Sequence, residues 1–270
     1  MVSIVMPAYN AAGTLCSSID SVITQTYSDW ELLIIDDASQ DETPQIAQAA
    51  ARQDNRIRYL VNEYNLGTAE TRNRGVAQAG GEWIAFLDSD DLWKPDKLEK
   101  QLKFIEETSA VISYTATSYL YDGVASSYVL RAKRELTYKE LLKRNLMSCS
   151  SVMLQKILAA RYPFTEGGHH EDYAVWLQIL REINCTSSAN RVWETDPTRK
   201  TNSAYGLNEP LLIYRIMNNS KSRNRFRSGF MTYKTYLFIG YGYISSFFLT
   251  LRYSLHSISK RLRILHGKTI

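Results

Sequence analysis

Asp88, Asp90 and Asp91 place three carboxylates within four residues, directly after the strand-like run Glu82-Trp83-Ile84-Ala85-Phe86-Leu87. Such a run predicts a buried strand with the acids at its C-terminal end, the edge where open α/β sheets bind ligands. Asp88 and Asp90 are two residues apart, so an extended trace turns both to the same side. Paired hard oxygen donors suit Mg²⁺ or Mn²⁺ held by few protein ligands and completed by phosphate oxygens. A second acidic pair, Glu171-Asp172, follows Gly167-Gly168-His169-His170 where a helical pattern begins. The helix dipole favours acids there, and a carboxylate so placed can also take a proton from a hydroxyl. The paired histidines match no zinc spacing.

Three further segments offer binding chemistry. Pro7-Ala8-Tyr9-Asn10 follows the first strand and presents an aromatic face and an amide, which suit a nucleobase. Asp36-Asp37 ends the second strand on the same edge. One of its carboxylates suits the imide N–H of a uracil, while Ser39 or Asp41 suits the cap of the next helix. Asn65-Leu66-Gly67, followed by Arg72, Asn73 and Gly75, opens a helix whose N-terminus and arginine attract phosphate.

The elements that must position these residues alternate in type. Val2–Met6, Trp30–Ile35, Arg56–Val61 and Glu82–Leu87 read as strands. Helices are predicted from Thr14 to about Gln25, from Asp41 with Ile46, Ala49 and Ala50 on one face, and from Gly67 to Ala79. This β-α-β-α-β-α-β order implies an α/β fold with a mainly parallel, doubly wound sheet. Beyond Pro95 the pattern gives a helix to about Glu107, strands at Val111–Leu120 and Ser127–Leu130, and short helices at Leu136–Leu142 and Leu154–Ala160. A longer helix covers Glu171–Ile183, residues 191–208 read as polar and irregular, and Pro210–Tyr214 reads as a last strand.

A chain of 270 residues can bury a full core. Its 44% hydrophobic and 22% charged residues are ordinary for a globular protein. Three cysteines, Cys16, Cys149 and Cys185, have no paired spacing and suit a reducing cytoplasm. The first strand starts at once, with no basic leader before it, which gives the same expectation. The net charge of +4 hides an asymmetry: residues 1–209 carry 21 basic and 28 acidic groups, whereas residues 210–270 carry 11 basic groups and no acid.

Taken in order along one sheet, these segments resemble the family 2 inverting glycosyltransferases of the GT-A fold. The resemblance rests on Val2–Asn10, Ile35–Ser39, Asn65-Leu66-Gly67 with Arg72-Asn73, Phe86–Asp91, and Glu171-Asp172-Tyr173 with Trp176-Leu177. A looser match runs through Glu209-Pro210-Leu211, Tyr214-Arg215, Ser220 and Ser222. The resemblance implies that Pro7, Ala8, Tyr9 and Asp37 hold the uracil and ribose of a UDP-sugar. It places Asn10, Asn65, Gly67 and Ser89 around the same donor and brings Arg72 to the diphosphate. Asp88 contacts the ribose or the metal, and Asp90 ligates Mn²⁺ or Mg²⁺. Asp172 is the implied catalytic base, and Glu171 places the acceptor. Residues 1–110 form the nucleotide-sugar half of the domain and 111–225 the acceptor half.

Residues 226–270 form a basic, aromatic tail. Thr235–Leu251 is 17 residues without a charge, with two glycines and many tyrosines. A spanning helix needs about 20 apolar residues, so an interfacial helix on an anionic membrane is predicted, with a core-packed or homodimer helix as the alternative. No recognition motif points to nucleic acid. The combined expectation is a cytoplasmic, peripheral membrane enzyme that extends a polyprenyl-diphosphate-linked glycan. The alternatives are a protein or teichoic-acid-like acceptor, or a non-catalytic nucleotide-sugar-binding scaffold.

Overall fold

The computed structural model describes residues 1–121, 123–185, 203–216 and 225–266. The polar stretch 191–202 and the segment with Ser220 and Ser222 lie outside these. The N-terminal half runs β1 (Val2–Ala8), α1 (Leu15–Ile23), β2 (Trp30–Asp36), α2 (Thr43–Gln53), β3 (Ile57–Val61), α3 (Thr68–Gln78) and β4 (Trp83–Phe86). Then come β5 (Leu92–Trp93), α4 (Lys97–Thr108), β6 (Ile112–Tyr121), β7 (Val124–Leu130), β8 (Glu135–Leu136) and α5 (Tyr138–Leu141). The chain continues with β9 (Met153–Gln155), α6 (Lys156–Arg161), α7 (Glu171–Cys185), β10 (Ala204–Ile216), α8 (Arg225–Phe238) and α9 (Tyr243–His266).

One sheet spans both halves in the order β3-β2-β1-β4-β9-β6-β10-β5. β1, β2, β3 and β4 are mutually parallel, as alternating strands and helices require. Their apolar runs are continuous because helices cover both faces; Val5, Leu33, Ile35 and Phe86 face one core layer, and Ile4, Met6, Leu32 and Ile34 the other. β9 pairs antiparallel with both β4 and β6 and joins the halves. β10 then lies parallel to β6 and antiparallel to β5.

Several expectations change. Leu154–Ala160 is not one helix: its first residues complete β9, and α6 starts at Lys156. Residues 204–208 belong to β10, which two register shifts between Leu207 and Leu212 carry past the bulged Pro210. On α2 the buried residues are Thr43 and Ala47, whereas Ala49 is exposed. The uncharged run 235–251 is two helices, not one. Gly240, at φ 94, takes a backbone conformation that favours glycine and separates α8 from α9. α8 is part of the core, since Tyr236 and Thr235 are fully buried.

Candidate active site

Three loops at the C-terminal edge of the parallel strands are latched together. Asn10, at φ 48, accepts the Gln40 amide on its side-chain oxygen at 2.8 Å, and its own amide donates to Ser39 Oγ at 3.0 Å. Asn10 thus binds the loop after β1 to the loop after β2. Pro7 and Ala8 are buried in the end of β1, and the Tyr9 ring is left 51% exposed, free to stack. Asp41, expected as a possible cap, accepts amides from Thr43 and from Ala12, each at 3.0 Å. It too ties these loops, and Glu42 occupies the N-cap position of α2 without a side-chain cap.

Asp37 is buried, and its carboxylate accepts from Asn62 Nδ2 at 2.7 Å, the Leu66 amide at 2.8 Å and the Gly67 amide at 2.9 Å. Asn65 Nδ2 donates to the Asp37 carbonyl at 3.3 Å. Gly67 turns into α3 at φ 85, and Glu166 Oε1 accepts the Ala69 amide at 3.4 Å. The start of α3 is therefore filled by the protein's own acids, so it is not the open phosphate seat that its sequence suggests.

Arg72, from the first turns of α3, points across the sheet edge instead. Its Nη2 meets Asp88 Oδ1 at 2.6 Å, and Nη1 lies 3.6 Å from Glu171 Oε2. Burial alone would lower its pKa; the neighbouring charges, Asp88 foremost, outweigh that and raise it. Arg72 thus joins the acidic loop after β4 to the first turn of α7, where Asp172 sits. Phe164 lies under the guanidinium at 5.3 Å and stacks edge-on against Phe86 and Trp176.

The acidic loop is clamped from below. Ser150 Oγ donates to Asp91 Oδ2 at 2.6 Å and accepts the Asp88 amide at 3.1 Å. Asp91 is buried and also accepts the Arg215 amide at 3.1 Å. Burial and then the charges of Asp90 and Asp88 push its carboxyl well up. Ser18 Oγ lies 2.9 Å from the Ser89 carbonyl and 2.8 Å from that of Asp91. The Arg215 guanidinium reaches the Asp90 carbonyl, Ser17 and Ser18. Asp90 is left at the rim. Crowding by protein, then the charge of Asp88, raises its carboxyl to about 6.

At the other wall, Tyr173 Oη, one residue after Asp172, donates to the Leu141 carbonyl at 2.8 Å and meets Tyr236 Oη of α8 at 3.2 Å. The His170 amide donates to Thr235 Oγ1 at 3.1 Å. The tail therefore buttresses the turn that carries Glu171 and Asp172. Arg72 contacts both Asp88 and Glu171, whose near neighbours in the chain are Asp90 and Asp172. Asp91, Ser150, Ser18 and Arg215 complete the site. Asp91 was visible in the acidic run and Arg215 in the looser match, whereas nothing in the sequence marks Ser18 or Ser150.

The sheet edge therefore offers an exposed tyrosine, a carboxylate loop suited to a cation, and an acidic pair on the first turn of α7 joined to that loop through Arg72. Residues 3–159 match the profile of the family described as Glycosyl transferase family 2. TuaG of Bacillus subtilis (strain 168), assigned to teichuronic acid biosynthesis, is 34% identical over 264 residues, covering 97% of this chain and 98% of TuaG. The Escherichia coli UDP-Glc:alpha-D-GlcNAc-diphosphoundecaprenol beta-1,3-glucosyltransferase WfgD is 39% identical over 69% of this chain and 72% of its own length. Among solved structures, Staphylococcus aureus TarS 1-349 with UDP-GlcNAc superposes with TM-score 0.67 at 17% identity, covering 92% of this chain and 70% of that one. The Pyrobaculum calidifontis mannosyltransferase PcManGT, with GDP-Man and Mn²⁺, gives TM-score 0.66 at 14% identity over 99% of this chain and 73% of its own. The chain belongs to the family 2 glycosyltransferases of GT-A fold, of the surface-polysaccharide type.

Proposed function

We propose that this enzyme moves a sugar from a UDP-sugar to a hydroxyl of a polyprenyl-diphosphate-linked glycan, inverting the anomeric carbon. The observation that carries the reading is the Arg72 bridge, which sets the donor-side Asp88 and the base-side Glu171 on one guanidinium. Tyr9 stacks on the uracil, with Pro7, Ala8, Asn10 and Asp37 shaping its seat. Asn65, Gly67 and Ser89 hold the loops around it. Asp172 takes the proton of the acceptor hydroxyl as that oxygen attacks the anomeric carbon. The bond from that carbon to the diphosphate oxygen breaks, and UDP leaves with the electron pair. Glu171 and Arg72 place the two substrates.

Asp88 and Asp90 fit Mn²⁺ or Mg²⁺. Burial and then the charge of Asp88 raise the Asp90 carboxyl, and Arg215 and Arg72 offset this only in part, so a cation there relieves a like-charge contact. Among the described residues no group of three His, Cys, Asp or Glu side chains forms a metal cluster, which suits a cation completed by phosphate and water oxygens. When bound, the cation neutralises charge developing on the leaving diphosphate. The UDP-Glc donor and diphosphoundecaprenol acceptor of WfgD, and the Mn²⁺ of PcManGT, support this reading.

The test is incubation with a panel of UDP-sugars, Mn²⁺ and N-acetylglucosaminyl diphosphate on a short alkyl chain. One UDP-sugar is expected to give acceptor-dependent UDP release and a product one sugar heavier. No release from any donor would overturn the reading.

The same reading places the enzyme on the inner face of the cell membrane. Among the described residues no helix is long and apolar enough to cross a membrane. α9 is apolar on two faces: Leu249 and Tyr253 pack on the core, while Tyr243, Ile244, Phe247, Phe248, Leu251 and Leu255 face solvent. A helix apolar all round requires cover on both sides, and the 11 basic groups of residues 210–270 suit anionic lipid. Truncation at Gly229 would strip Tyr236 from the core, so point changes are the better probe. The double variant Phe247→Glu, Leu251→Glu is expected to weaken binding to phosphatidylglycerol vesicles by about tenfold or more. Unchanged sedimentation would instead favour a homodimer at this face.

A further inference from the structure

Arg144 sits on the turn after α5, beside the base-bearing end of α7. Its backbone amide donates to the Leu141 carbonyl at 3.1 Å, the same oxygen that accepts Tyr173 Oη at 2.8 Å. This ties Arg144 to the residue next to Asp172. Its Nη2 donates to Tyr128 Oη at 3.2 Å, and Tyr128 packs on Tyr119, which packs on Tyr214, each pair with centroids 5.8 Å apart. On the other side Tyr253 of α9 lies 5.6 Å from the Tyr173 ring. Burial raises the Tyr253 hydroxyl's pKa; the charge of Asp172 adds to this and that of Arg144 opposes it. Base and arginine therefore act on one hydroxyl.

The two other arginines of the site are differently placed. Arg72 is matched by carboxylates, and Arg215 is engaged by hydroxyls and backbone carbonyls of the acidic loop and α1. Arg144 is half-buried and has no carboxylate in ion-pair range among the described residues; its guanidinium is held by the Tyr128 hydroxyl through Nη2. A partly desolvated guanidinium with no carboxylate of its own, on a turn tied through the Leu141 carbonyl to α7, is matched by an anion from outside the protein. The surroundings agree: a tyrosine-lined wall and a tail without an acid.

We propose that Arg144 binds the anionic group carried by the acceptor, whether the diphosphate that links a glycan to lipid or the carboxylate of an acidic sugar. This rests on the glycosyltransfer reading for the word acceptor, and its test does not depend on turnover. Calorimetry on the full chain, with UDP and Mn²⁺ saturating the donor side, compares three acceptors. They are N-acetylglucosaminyl diphosphate on a short alkyl chain, the same sugar as a neutral alkyl glycoside, and a glucuronate-bearing alkyl glycoside. The wild type is expected to prefer one anionic acceptor over the neutral one. Arg144→Gln is expected to reduce that preference about 10- to 100-fold, the worth of a charge-assisted contact, and Arg144→Lys to restore part of it. Which anionic acceptor loses affinity identifies the group. Equal weakening of charged and neutral acceptors, or a preference that survives Arg144→Gln, would overturn the proposal. Failure of transfer with this preference intact would count against the glycosyltransfer reading instead.

Discussion

Asp172→Asn is expected to lower kcat by about 10²- to 10⁴-fold, the range for loss of a general base. Asn keeps the shape of Asp and can still accept the Tyr173 amide, which Asp172 Oδ1 receives at 2.7 Å. The Arg72 contacts run through Asp88 and Glu171, so they stay in place. The loss should therefore appear in turnover, with UDP binding by calorimetry unchanged. Undiminished turnover would move the role to another group, with Glu171 first in reach. Glu171→Gln differs in kind: it removes a charge that helps hold Arg72, so it should disturb substrate affinity as well as turnover.

Asp90→Ala is expected to cut turnover by about 10²-fold or more and to abolish the dependence of UDP affinity on Mn²⁺. EDTA on the wild type should reproduce the effect. The direction of the stability change separates this from unfolding. The Asp90 carboxyl is raised in the folded chain, so its charge opposes folding at neutral pH. Removing it should leave Tm unchanged or higher, as is common where function imposes a local cost. Full activity of Asp90→Ala in EDTA would remove the metal from the reading.

The parts of this architecture that sequence reveals are those encoded in contiguous residues. β1, β2 and β4 were legible because each is an apolar run closed by Pro or Asp, and β3 because its β-rich residues stand between two helical patterns. The acidic loop and Glu171-Asp172 were legible because acids stand together at element ends. β9 was hidden, since three residues that pass straight into α6 show no alternation. β5 was hidden because two residues cannot show a period. The break inside the tail was not legible, because an uncharged run says nothing of the positive-φ turn at Gly240 that divides it into two helices. Within the site, Asp37 and Arg72 were found, but their partners were not. Three donors on Asp37 and two carboxylates on Arg72 come from distant segments, which no local pattern records.

Arg215 and the acidic loop it clamps lie 125 residues apart in the chain. At about 5–20 residues synthesised per second that interval is about 6–25 s. β1 to β4 can pair during this time, because their contacts are local to the N-terminal half. Asp90 and Asp91 wait through it without Arg215, whose amide and guanidinium bond them and whose charge offsets theirs. A nascent or truncated chain ending before β10 thus has the nucleotide edge of the sheet but not its finished acidic centre. The enzyme is complete only after the last strand has slid between β6 and β5.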